Sequence, residues 1–263
     1  MMGYSHAVSG AAGWLAVTST AAGFGWYTLE PTQILAGTVL CAGAALAPDA
    51  DHPSATIAYS IPGVGKAVTG AIGSAAGGHR KGTHTIWAVF VMLAVCFGLS
   101  VIPPLETQWG PVNVFAFLAT LALTTFATKV LRIAKNWGLA WVMGLAFAVG
   151  LQLLMPDAYV WIPLCIAVGY LIHLLGDFLT VGGLAWFYPW VPKPPLGFTT
   201  IPVVNRLWMK NGYMSLPILG LTGSWRENGL TLILSMYTLY ALAVTTASIW
   251  GVDITLPTLL TYL

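Results

Sequence analysis

Long apolar runs constrain this chain more than any other feature. Stretches of roughly 17 to 25 residues, the length that crosses a hydrocarbon core, mark six or seven candidate membrane helices. They fall near residues 7–27, 32–48, 84–103, 112–128, 137–155, 159–177 and 230–252. The first is the least hydropathic because Ala, Gly, Ser and Thr dominate it, yet small residues suit close helix packing in lipid. Composition points the same way: 57% of residues are hydrophobic and 7% charged, where soluble domains carry roughly 25% charged residues. The expected fold class is all-α, a polytopic integral membrane helical bundle of about seven transmembrane helices. It forms a single membrane-embedded domain over 1–263, with 178–228 as a cytoplasmic interfacial loop.

Loop charges give a second, independent reading. Lys and Arg collect on the cytoplasmic side of bacterial-type membranes, and here they fall on alternate loops. Lys66, Arg80 and Lys81 precede the third run, Lys129, Arg132 and Lys135 follow the fourth, and Lys193, Arg206, Lys210 and Arg226 follow the sixth. Glu30, Glu106, Asp157 and Asp253 occupy the opposite side. Seven helices with a cytoplasmic N-terminus and an outer C-terminus satisfy this pattern. A formal charge of +2 is too small and dispersed to suggest a nucleic-acid partner. Cys41, Cys96 and Cys165 lie singly in apolar runs and read as small buried hydrophobes. The start, MMGYSHAVSG, lacks a basic signal region, so the first segment is expected to be retained. Residues 53–78 are Gly-rich and mildly apolar, as an interfacial or re-entrant piece would be, and the aromatics of 178–228 suit the headgroup region.

Drawn on this topology, the remaining ionisable groups converge. His6 opens the first run, PDADHP (48–53) closes the second, GHRKGTHT (78–85) opens the third and HLLGDFLT (173–180) closes the sixth. These cytoplasmic ends hold all five histidines, and ionisable groups near membrane depth mark functional sites by default. His173 and Asp177, at i and i+4, share one helix face, and Thr180 continues it. Asp49, Asp51 and His52 follow Pro48 in a turn, and His79 and His84 flank the turn at Gly82. Imidazole with carboxylate and no thiolate suits zinc, manganese or iron.

In that order the motifs resemble the YdjM-like membrane-bound metal-dependent hydrolases, whose pattern is an early His, PDxDH, HRGxTH and HxxxDxxTxxG. The resemblance covers residues 1 to about 190. Here the third motif reads HRKGTH, with its glycine shifted by one place to Gly82. The family is itself similar to zinc-dependent phospholipase C and P1-type nucleases. That resemblance implies a cluster of one to three divalent ions, zinc foremost, with His6, Asp49, His84, His173 and Asp177 as ligands. Asp177 would bridge two of them. Those soluble enzymes also use a processed N-terminal amine, of which Met1 and Met2 give no sign.

The expected activity is hydrolysis of a phosphate ester, lipid or lipid-linked, at the cytoplasmic leaflet. Asp51, His52 and His79 would serve as ligand, base or orienting group, with Arg80, and more weakly Lys81, on phosphate. Two other classes stay open: transport of a divalent cation or protons, and a scaffold in which metal only staples helix ends together.

Overall fold

The computed structural model describes residues 1–24, 29–108, 110–195, 197–252 and 254. Residues 25–27 of the first expected run, and Asp253, lie outside them. Helices occupy every apolar run: α1 (Gly3–Phe24), α2 (Pro31–Ala44), α4 (Ile86–Ser100), α5 (Val114–Val130), α6 (Trp137–Leu154), α7 (Ile162–Phe178) and α9 (Trp225–Ile249). Side-chain oxygens start several of them, capping free N–H groups of the first turn. Thr85 caps α4, Asn113 α5, Asn136 α6 and Ser224 α9.

Three segments are long and apolar enough to cross a bilayer: Pro31–Asp51, Trp137–Leu154 and Trp225–Ile249. The expectation of about seven such spans reduces to three on this criterion. For α1, with 22 residues, the reason is its weak hydropathy, and for the other three it is length. Helices α4, α5 and α7 have 15, 17 and 17 residues, or about 22–26 Å at 1.5 Å per residue, against a core of about 30 Å.

The purely helical expectation also omits a hairpin. Strands β1 (Leu105–Thr107) and β2 (Gly110–Val112) pair antiparallel, with Leu105 opposite Val112. Pro103 and Pro104 bar further helix, and Gly110 takes a φ of +106° that few other residues would accept. Within 53–78 a short turn at Thr56–Tyr59 leads to α3 (Val64–Ala75), which buries Gly65 and Thr69 and exposes Val64 and Val68. The expected loop 178–228 overlaps the last residue of α7 and the first turn of α9. Between them, apart from α8 (Pro202–Leu207), the described residues are largely irregular and are tied down by the bridges Thr180 to Gly220 and Leu184 to Met214.

Helix α2 sits at the centre, packed against α1, α5 and α7, and its approaches are made through glycines. A Cβ on Gly10 of α1 would stand 2.5 Å from the Cys41 carbonyl oxygen, and one on Gly169 of α7 would stand 2.7 Å from the same atom. One on Gly43 would run into the Leu123 carbonyl of α5. These contacts bring together the N-terminal end of α1, the C-terminal ends of α2 and α7, and the loop entering α4. All three cysteines are buried and unpaired.

Candidate metal centre

Each polar motif arrives on a different element, and local sequence explains its aim. His6 is on the first turn of α1, where the tight α1–α2–α7 contact leaves its ring 1% exposed. Beyond α2, Pro48 starts a short 3₁₀ turn, Pro48–Asp51, that directs Asp49 and Asp51 inward. The loop into α4 bends through Gly77, Gly78 and Arg80, all at positive φ, and ends in a second 3₁₀ turn, Gly82–His84. Positive φ at Arg80 is unfavourable for a residue with a Cβ, so the surrounding loop must hold it there. His173 and Asp177 share the inward face of α7, both buried.

Four ligand atoms face one another. His84 Nε2 lies 3.2 Å from His173 Nε2, 3.7 Å from Asp49 Oδ1 and 3.8 Å from Asp177 Oδ2. His173 Nε2 lies 3.7 Å from Asp49 Oδ1 and 3.9 Å from Asp177 Oδ2. Metal–ligand bonds of about 2.0–2.2 Å in a tetrahedron give ligand–ligand edges of about 3.3–3.6 Å. These five separations, 3.2–3.9 Å, are close to that, so the two imidazoles form a cage with a carboxylate on either of them. The His6 ring stacks on His173 at 3.7 Å between centroids, with Nε2 3.3 Å from Asp177 Oδ1. Yet both nitrogens of that buried ring make no hydrogen bond. A buried imidazole beside a carboxylate with neither nitrogen in a hydrogen bond fits a metal ligand. The groups His6–Asp49–His173, His84–His173–Asp177 and Asp49–Asp51–His79–His84 each bring their ligand atoms within 4.8 Å of one another.

The outer partners fix which nitrogen is offered. His173 Nδ1 donates to the Ala45 carbonyl at 2.7 Å, leaving the Nε2 lone pair facing the cage. His84 Nδ1 is 3.2 Å from Asp51 Oδ2, so its Nε2 is likewise turned inward. Burial opposes a proton on His84, but hydrogen bonds and charge from Asp49 and Asp51 outweigh it and push its pKa up to about 9. Asp51 also bonds His79 Nδ1 at 2.8 Å and the Thr83 hydroxyl at 2.5 Å.

Of the other expected residues, Arg80 Nη2 pairs with Asp177 Oδ2 at 3.2 Å, and the guanidinium passes over Gly182, where a Cβ would collide with it. Lys81 lies over the Tyr188 ring. His52 is peripheral. Its Nδ1 accepts from the Ser54 hydroxyl and amide, and its ring meets the edge of His79.

Four participants carry no sequence signature of ligation. The Met1 amino group bonds Asp177, and the Ala45 carbonyl orients His173. The Tyr170 hydroxyl donates to the Thr83 carbonyl at 2.5 Å. Buried Glu227 on α9 accepts from the amides of Met2 and Gly223, tying the N-terminal residues in place. Thr83, which donates to Asp51, stands inside the HRKGTH motif, but nothing in the sequence singles out that contact.

Residues 1–251 match the family described as YdjM inner membrane protein. No curated protein and no solved structure matches the chain.

Proposed function

Because the chain belongs to the YdjM inner membrane protein family, we propose that it is a membrane-bound metal-dependent hydrolase of phosphate esters, working at the cytoplasmic face of the membrane. The observation that carries this reading is the cage of His84, His173, Asp49 and Asp177, with the unsatisfied His6 ring against it. His6, Asp49, His84, His173 and Asp177 would hold the metal, of which zinc fits the nitrogen and oxygen donors best. A divalent ion there would supply Lewis acidity toward a phosphoryl oxygen and make a water acidic near neutral pH.

The chain's own groups divide the remaining work. Asp51 orients His84 and is not itself free to act as a base, since His79, Thr83 and His84 already use its oxygens. His79, about a third exposed, is the better-placed proton acceptor, with His52 behind it. Arg80 stands at the rim on Asp177, and a phosphate arriving at the cage would draw its planar fork away from that carboxylate. The alternating loop cations favour seven membrane crossings, the N-terminus cytoplasmic and the C-terminus outside.

The decisive experiment is elemental analysis of purified wild type beside Asp177→Ala, paired with turnover of p-nitrophenyl phosphate before and after chelation. Bound zinc and chelator-sensitive turnover in wild type, both lost in the variant, are expected. Metal flux in proteoliposomes without phosphate release would favour transport instead.

A further inference from the structure

A cavity of about 240 Å³ opens between α1, α7 and α9 and is walled almost entirely by hydrocarbon. Small residues on α1, Ala12, Gly13 and Ala16, leave the space, and Leu175 of α7 with Leu230 and Leu234 of α9 line its far side. It faces outward: Leu175 on its wall is 42% exposed, and the neighbouring surface of α9 is a run of exposed Leu232, Ile233 and Met236. In a chain of this family that surface lies against lipid.

The inner end of the cavity is different. Its walls there are Met1 and Gly176. The Met1 amino group bonds Asp177, while a Cβ on Gly176 would stand 2.6 Å from Met1 Sδ and 3.3 Å from His6 Cε1. One flexible thioether side chain and a glycine without a side chain are therefore all that separate the apolar groove from the carboxylate and imidazole of the cage.

We infer that this groove takes the hydrocarbon chain of a lipid phosphate whose headgroup lies at the His/Asp cage. The inference rests on the hydrolase reading for its headgroup chemistry. A soluble phosphate ester would leave the groove unused, and a neutral hydrocarbon would ignore the charged end. Only an amphiphile with an anionic ester head meets both. The chain enters sideways from the bilayer between α1 and α9, so the substrate never has to leave the membrane.

Full-length zinc-loaded protein in detergent, photolabelled with hexadecyl phosphate carrying a mid-chain diazirine, tests this directly. Label is expected on peptides spanning Ala12–Ala16 and Leu230–Leu234. It should be displaced by unlabelled hexadecyl phosphate far better than by hexadecanol, and lost at these positions on Leu234→Trp or Ala16→Phe. The mapping and the competition use wild type alone, so they stand if a variant does not fold. Label spread evenly over the lipid-facing helices, with hexadecanol competing equally, overturns the groove. Wild-type turnover of p-nitrophenyl phosphate, which has no chain to place, reports on hydrolysis separately. Turnover with spread label removes only the groove, whereas groove labelling without turnover leaves the lipid site and removes the hydrolase.

Discussion

His84 has one nitrogen on Asp51 and the other in the cage, so it connects the ligands to the residues behind them. Replacing Asp51 with Asn keeps the shape but removes the charge that fixes the His84 tautomer. Metal affinity, read by competition with a chromogenic chelator, should fall about 10- to 100-fold while the protein stays folded. A second expectation follows from the raised pKa. A histidine whose folded pKa lies near 9, above its unfolded value of about 6.5, binds more protons folded than unfolded. Its contribution to stability is complete below about pH 6.5 and disappears as pH climbs toward 9. Thermal unfolding of chelator-stripped protein should show a Tm that declines across that window. Metal-loaded protein should lack the decline, because ligation requires the neutral ring and replaces the proton.

At the scale of elements, the cage depends on how closely α7 and α1 approach α2. The Ala45 carbonyl that aims His173 belongs to the end of α2, and Gly169 of α7 is the point of contact one helical turn below His173. A methyl group at Gly169 would lie 2.7 Å from Ala44 Cβ and from the Cys41 carbonyl, and 3.0 Å from the Ala45 amide. Little of this can yield. Gly169→Ala should therefore cost about 1–3 kcal/mol of stability by overpacking, and should weaken metal binding although it touches no ligand. Gly70→Ala on α3, where nothing stands within 4 Å, is the matched control and should do neither. Denaturant titration in detergent and metal competition on the same two variants check this. The long helices were legible in the sequence, because an apolar run is a local signal, whereas the β1–β2 hairpin was not. The i, i+4 pair His173 and Asp177 was legible for the same reason. The Ala45 carbonyl was not, since a backbone acceptor is present at every residue and only the fold selects one. His52 misleads in the opposite sense. It adjoins Asp51 in sequence, but the 3₁₀ turn ends at Asp51, and an extended backbone at His52 carries its ring out to Ser54.

For the molecule as a whole, the candidate ligands come from the start of α1, the turn after α2, the loop before α4 and the end of α7, so an ion among them would add to the bonds that already join these segments, such as Arg80 to Asp177 and Asp51 to His84. Glu227 extends the same end of the bundle to α9 by holding the Met2 amide. Binding that requires all of these segments in place is linked to folding, and a ligand at a hundred times its Kd adds about 2.7 kcal/mol to the native state. Chelation of wild type should therefore lower Tm by several degrees, and re-addition of zinc should restore it. His173→Ala separates that linkage from ordinary packing. It removes a cage nitrogen and its bond to Ala45, so its Tm should start lower and respond only weakly to zinc or chelator. A His173→Ala protein that responds to zinc as strongly as wild type would mean that the ion, if bound, lies elsewhere. The apolar groove between α1, α7 and α9 would then have no charged centre to feed.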